Sequence, residues 1–344
     1  MELLRDVHLV RSPVFELIAS MFRLQCHEHL TRQESAVSMA EFDLDLWVER
    51  VRQDLSDSDR EDLQTFFDFE SFLGLAMVRF AWQTDSWRSV RDFLAQIDQT
   101  PAHDLFAEFL CTGYAPNRRV NVASPDDVRD YINQTNLPPT ERWKLAYLYL
   151  NADRTKERFG RLVAQCNDRY FTRDWERLAQ IESDSADLIR ARIHTRRDLV
   201  DYFPYMAGHP VEDAHTTVVL APSVFYHVDS LSSSADEGGL FVTLYGTEFR
   251  SWWEIGADEL SEFLKVIADD TRVKIIKTLG TGAYFGYELA QRLNLSSSTI
   301  SHHLAQLATI GIIVPTRQEN RVSYELNRDR LATLMASLTT ALTR

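Results

Sequence analysis

The chain has 344 residues, 44% of them hydrophobic and 26% charged, with a formal net charge of −14; this suits two or three globular domains with real cores and excludes a disordered tail or a disulfide miniprotein. Only 12 glycines and 10 prolines favour helices over many-turned β architectures. No run approaches the roughly 18 apolar residues of a membrane span, and Glu2, Arg5 and Asp6 stand where a signal peptide would be apolar, so a cytoplasmic protein without membrane association is expected.

In chain order, an apolar segment at 7–10 precedes a helix with a clear start: Ser12 can cap its free amides and Pro13 occupies the first helical position. Val14, Leu17, Ile18, Met21 and Phe22 follow the 3,4-spacing of one buried face. Helical patterns continue over 43–55, 59–82, 87–97, 102–111, 125–135, 140–150, 156–170 and 172–202, with Ser124-Pro125-Asp126-Asp127 as a second marked entry and Leu137-Pro138-Pro139-Thr140 as a break. Stretches 216–220 and 240–249 are rich in β-branched and aromatic residues around a Ser/Asp/Gly loop at 229–239, which reads as a hairpin with a long connection. Cys26, Cys111 and Cys166 form an odd, widely spaced set, as expected of reduced thiols.

From residue 258 helices return, over 258–268, 271–279 and 287–293; Asn294-Leu295-Ser296 then turns into a fourth that runs to about 310. Two alternating segments, 312–314 and 322–326, flank Glu319-Asn320, and a last helix covers 329–342. The sequence therefore predicts a mainly α protein with small β elements in three parts: a helical module at 1–205, a β-hairpin region at 206–256 that closes or links it, and a third domain at 257–344. Charge is divided between them. From residue 257 onward ten Lys and Arg stand against nine Asp and Glu, leaving 27 against 42 upstream. The acidic part alone would disfavour a polyanion, so the two ends are expected to serve different partners.

Helix, helix, short helix, three-residue turn, helix, hairpin is the plan of a winged helix-turn-helix, in which the helix after the turn enters the major groove of double-stranded DNA. The stretches 268–276, Ala-Asp-Asp-Thr-Arg-Val-Lys-Ile-Ile, and 298–304, Ser-Thr-Ile-Ser-His-His-Leu, closely resemble signatures of the ArsR-type family of bacterial transcription factors. Gly311-Ile312-Ile313 resembles the family's exit into the wing. The resemblance covers about the last 85 residues and implies a homodimeric DNA-binding repressor released by an effector. At 100° per residue Ile300, Leu304 and Leu307 share one face, whereas Ser298, Ser301, His302 and Ala305 point away from it. With Ser296 as cap and Ser297 beside it, Ser298, Ser301 and His302 are the candidate DNA contacts, joined by Arg317 and Arg321 of the wing. The alternative is a solvated helix face in a helix-turn-helix reused for protein contacts, which would make the chain an interaction adaptor. An inverted repeat is the expected operator.

In the family the first and last helices of the domain pair two protomers, which implies Leu260, Phe263, Leu334, Met335, Leu338 and Leu342 as dimerisation residues. Metal-sensing members carry thiolates before the turn or carboxylate and His ligands on the last helix; this chain has no Cys at 282–287 and no His after Asp329. No metal and no cofactor is expected. Upstream, Cys26-His27-Glu28-His29 is the one cluster with ligand chemistry, without a second pair at recognisable spacing. Nucleophile-elbow, phosphate-loop and zincin patterns are absent, so no enzyme is expected. The upstream part holds 33 of the 38 aromatic residues and every Trp. They form either a large helical core or a pocket for a small effector; a protein effector is the other option.

Overall fold

The computed structural model describes residues 6–31, 42–110, 120–203, 206, 211, 213–226, 230–233, 239–247, 257–318, 321–328, 330, 331, 334, 335 and 338. The chain divides into two compact units, one made of Met1–Asp201 and Tyr205–Phe249, the other of Tyr202–Pro204 and Arg250–Arg344. Among the described residues no helix is long and apolar enough to cross a membrane.

The first unit begins with strand β1 (Val7–Leu9) and helix α1 (Pro13–Thr31). Ser12 caps α1 as its position suggests: its Oγ accepts from the Phe15 amide at 3.1 Å and donates to the Trp87 carbonyl at 2.6 Å. One buried face is expected from the spacing, yet Val14 to Leu24 are buried all round, including Glu16, Ser20 and Arg23. That is the pattern of a central helix rather than a surface one. The other helices of the unit are α2 (Leu44–Asp54), α3 (Asp57–Phe66), α4 (Met77–Gln83), α5 (Val90–Gln99), α6 (Ala102–Phe109), α7 (Pro125–Gln134), α8 (Pro139–Leu150), α9 (Ala152–Cys166), α10 (Trp175–Arg192) and α11 (Arg196–Tyr202), of which α2, α3, α4, α5 and α9 pack on α1. Asp43, Ser56, Ser89 and Ser124 cap α2, α3, α5 and α7 through their side chains.

Two long helices of the sequence reading are broken. The 59–82 pattern is interrupted after Phe66, where Phe72 takes a left-handed conformation at φ 52° and Gly74 lies so close to the Phe67 ring that a Cβ would meet it at 2.4 Å. The 172–202 pattern is interrupted at Ile193–Thr195, where the Asp198 carboxylate accepts from the amides of His194 and Thr195 and opens α11 instead.

The expected hairpin is also corrected. Strands β2 (Thr217–Ser223) and β4 (Leu240–Gly246) pair in parallel, with Val218 opposite Phe241 and Leu220 opposite Thr243. Strand β3 (Ser230–Ser233), inside the stretch read as a loop, runs antiparallel on the far side of β4, and β1 joins β2 in parallel. The order is β1-β2-β4-β3. Every residue of β4 is buried, and β2 is buried from Val218 on. Parallel central strands are covered on both faces and so read as unbroken apolar runs, which carry no record of strand direction.

The second unit contains α12 (Ala257–Ile267), α13 (Asp270–Leu279), the two-residue strand β5 (Tyr284–Phe285), α14 (Gly286–Leu293), α15 (Ser297–Thr309) and the hairpin of β6 (Ile313–Gln318) and β7 (Arg321–Leu326). Its core is built on Phe263, Ile275, Leu279, Leu289, Ile300, Leu304, Leu307, Ile312 and Leu334. Strand β5, absent from the sequence reading, adds a third member in the order β5-β7-β6. Gly311 leaves α15 at φ 74°, a conformation that β-carbon sterics reserve largely for glycine, and turns the chain into β6. Of the last helix, Arg328, Arg330, Leu331, Leu334, Met335 and Leu338 are helical; Leu342 and the tip of the hairpin at Glu319-Asn320 lie outside the described residues.

Candidate nucleic-acid interface

The candidate surface is built by α14, the turn and α15. The Phe285 amide donates to Glu288 Oε2 at 2.8 Å, fixing the start of α14. Asn294 adopts the left-handed conformation at φ 53°, a geometry its short polar side chain tolerates, and the Leu295 amide donates back to the Ala290 carbonyl at 2.9 Å. The turn is thus closed by local hydrogen bonds that reach back no more than five residues. Ser296 then caps α15: its Oγ accepts from the Thr299 amide at 3.1 Å and lies 2.9 Å from Ser298 Oγ and 2.7 Å from Thr299 Oγ1.

On α15 the predicted division of faces is present in the burial pattern. Ile300, Leu304 and Leu307 are buried, whereas Ser296, Ser297, Ser298, Ser301, His302 and Ala305 are all exposed. None of these exposed residues is acidic, and no acidic residue lies in the first turn of the helix. The free amides of that first turn carry the positive end of the helix dipole, to which a phosphate is suited. Short hydroxyl side chains and one alanine leave room for base edges to approach, and exposed His302 can donate or accept a hydrogen bond.

The neighbouring residue does something else. His303 is half-buried, and its Nδ1 lies 3.7 Å from Asp269 Oδ1 at the start of α13. Asp269 caps α13 by accepting from the Arg272 amide at 3.0 Å, and chiefly this bond holds its carboxyl below the usual carboxylate range, with Arg272 and His303 adding to the effect. The Arg272 guanidinium joins three helices: Nε donates to the Val266 carbonyl, Nη2 to the Lys265 carbonyl at 3.0 Å and Nη1 to Gln306 Oε1 on α15. The signature stretch contains Thr271-Arg272, but the spacing of its residues did not disclose this role. The available signal was Asp269 in a capping position three residues before an arginine.

Arg317 and Arg321 occupy β6 and β7, opposite Val322 and Gln318 in the ladder; the reach of their side chains lies outside the described residues. The expected dimerisation residues separate into two sets. Phe263 and Leu334 are wholly buried in the unit's own core, so they support a surface from behind and have no area left for a partner. Leu260 and Leu338 are half-buried against that core, and Met335 is 46% exposed. Leu264 on α12, on the same apolar face as Leu260 and Phe263 but outside the expected dimerisation set, is 41% exposed.

In the first unit the Cys26–His29 cluster is dispersed among structural contacts. Cys26 Sγ donates to the Phe67 carbonyl at 3.1 Å and burial pushes its thiol up to about 12. His27 lies 3.2 Å from Asp45, Glu28 holds Arg52 through both oxygens, and His29 stacks on Phe69. The aromatic residues pack ring on ring, as in Phe66, Phe109 and Phe159, whose centroids lie 5.2–5.5 Å apart. An open surface depression of this unit is lined by His27, Asp45, Val48, Glu49, Arg52, Gln53 and Arg60, a polar set containing no Phe, Tyr or Trp.

A profile described as "Bacterial regulatory protein, arsR family" matches residues 269–314, from the cap of α13 into β6. The chain is 32% identical over 73 residues to the arsenical resistance operon repressor of Staphylococcus xylosus, which covers 21% of this chain and 70% of that protein. It is 32% identical over 85 residues to the HTH-type transcriptional regulator CmtR of Mycobacterium tuberculosis, covering 25% and 72%. With the biofilm growth-associated repressor of Agrobacterium fabrum it shares 30% identity over 82 residues, covering 24% and 70%.

Proposed function

The chain belongs to the arsR family of bacterial regulatory proteins, and from that premise we propose that it is a homodimeric, sequence-specific DNA-binding repressor in the cytoplasm, without catalytic activity of its own, whose first unit receives the regulatory signal. The observation that carries this reading is the exposed, acid-free face of α15, with Ser297, Ser298, Ser301 and His302 displayed on a helix anchored by Ile300, Leu304 and Leu307. Phosphate contacts fall to Ser296, the first-turn amides and the wing arginines Arg317 and Arg321. Dimerisation falls to the surface of α12 and the last helix around Leu260, Leu264, Met335 and Leu338. A two-fold dimer of this kind sets its recognition helices about 10–11 base pairs apart and reads an inverted repeat.

Metal sensing at the family's usual positions has no support in this chain, since residues 282–287 lack Cys and the segment after Asp329 lacks His. We take the effector of the first unit to be a small molecule or a protein.

Footprinting on genomic fragments, followed by binding measured across salt concentration, tests the reading. A palindromic footprint and a steep negative salt slope are expected. Residues 257–344 carry a net charge of only +1, which favours a protein-binding adaptor as the second reading; binding without salt dependence, or no footprint at all, would select it.

A further inference from the structure

Helix α8 has a face that no described residue of its own unit covers. Trp143 is 77% exposed, Tyr147 53% and Leu150 77%. At four and three residues apart they fall within about 60° of one another around the helix axis and form one stripe. The charged residues of α8 are occupied elsewhere. Glu141 is buried in an ion pair with Lys144, whose Nζ also donates to Ser71 Oγ at 3.1 Å, and Arg142 reaches the Asn133 carbonyl at 3.5 Å. The exposed residues of the helix are thus Pro139, Thr140, Trp143, Tyr147 and Leu150, none of them charged. This uncharged stripe lies on a part of the chain that carries 27 basic against 42 acidic residues.

We propose that this stripe is a self-pairing surface on which α8 of one protomer packs antiparallel against α8 of a second copy of the chain. A two-fold axis sets like against like, so a self-pairing surface on an acidic body has to be free of charge, as this one is. The spacing is also self-complementary. With the axis between Ala146 and Tyr147, Trp143 of each protomer lies over the other's Leu150, and each Tyr147 ring lies over the other's Ala146, the small residue that flanks the stripe. A partner of different sequence would need neither the absence of charge nor this large-small symmetry.

Size assigns the contact its role. The three side chains leave roughly 400 Å² of surface in water, given the 150–250 Å² of an aromatic side chain, about half of what one partner of a stable interface of standard size contributes. The stripe therefore acts as a second contact in a dimer already held by the DNA-binding unit, where effective concentration rather than area makes it count; in this respect it rests on the homodimer proposed above.

Sedimentation of the full chain over a concentration series tests it with three variants: Trp143→Asp with Leu150→Asp in the stripe, Leu264→Asp with Met335→Asp in the DNA-binding unit, and all four changes together. Both pairs are exposed, so unchanged circular dichroism is expected and is checked first. The stripe pair is expected to weaken the dimer by at least tenfold, and the fourfold variant to be monomeric. A stripe variant with the dissociation constant of the unmodified chain would overturn the proposal, including the case in which the stripe serves a different protein. Loss of the dimer in the stripe pair with no effect of the Leu264 and Met335 pair would leave the stripe standing and refute dimerisation through the DNA-binding unit.

Discussion

Arg272 illustrates how a residue away from a binding surface governs it. Its planar guanidinium serves acceptors on two helices at once, the carbonyls of Lys265 and Val266 at the end of α12 and Gln306 on α15. Lysine offers a single compact ammonium and cannot span them. Arg272→Lys is expected to destabilise the second unit by about 1–3 kcal/mol and to weaken DNA binding through the altered setting of α15, measured by chemical denaturation and by binding to the footprinted operator. On α15 itself neighbouring positions should behave oppositely. Ser301→Glu and His302→Glu place an anion on the exposed face, so operator binding is expected to fall by at least a hundredfold while the melting temperature stays within a degree or two. Leu304→Ala removes a buried side chain from the core and is expected to cost about 2–5 kcal/mol. Acidic variants that kept the operator would show that a different face reads DNA.

At the scale of elements, what the sequence revealed depended on how local the cause was. The caps at Ser12, Ser124 and Ser296, the turn at Asn294 and the two faces of α15 are decided within a few residues, and all are legible in the sequence. The parallel sheet was not, because it joins Val7 to Val218 and Val218 to Phe241, pairings whose partners lie far apart in the chain or across a misleading serine-rich strand. Strand β5 was too short to show a period, and the contacts of Arg272 depend on where three helices meet. The break between α3 and α4 is an instructive miss: the apolar spacing continues through 67–76, but packing of Phe67 on Gly74 overrides it. Gly74→Ala would force its Cβ to within 2.4 Å of a ring that is wholly buried and cannot swing aside. The expected cost is about 1–3 kcal/mol, read as a lower midpoint for the first unit in denaturant; an unchanged midpoint would mean that the two segments separate easily.

At the scale of the whole molecule, the first unit carries a pH dependence written into its central helix. Glu16 on α1 is wholly buried, accepts from the Val224 amide at 2.8 Å and the Phe225 amide at 3.3 Å, and is raised by burial from 4.5 to about 7 despite those bonds, Ser223 and Arg23. Glu182 on α10 is wholly buried too, with neither carboxylate oxygen hydrogen-bonded among the described residues; burial first and the charge of Glu16 second push it well above the usual range, against the pull of Arg11. Both groups hold protons in the folded state that the unfolded chain has already released. Stability is therefore greatest below about pH 4.5 as far as this pair is concerned, and falls as pH rises toward 7. For Glu16 alone the loss is on the order of 3 kcal/mol, since each tenfold change in proton affinity between the folded and unfolded chain is worth about 1.4 kcal/mol, and Glu182 adds to it in the same direction. Glu182→Gln fixes one member neutral and removes its repulsion of the other. The melting transition of the first unit is then expected to rise by several degrees at pH 8 relative to the unmodified chain, with little change at pH 5, since a kcal/mol moves a domain of this size by about 2–4 °C. Comparing the same variant at two pH values cancels the cost of burying the amide, and the transition of the second unit, which contains neither residue, serves as an internal reference. Equal shifts at both values would mean that the folded and unfolded chains bind the same number of protons at position 182 throughout this range, so that Glu182 is ionised in the folded state from pH 5 upward.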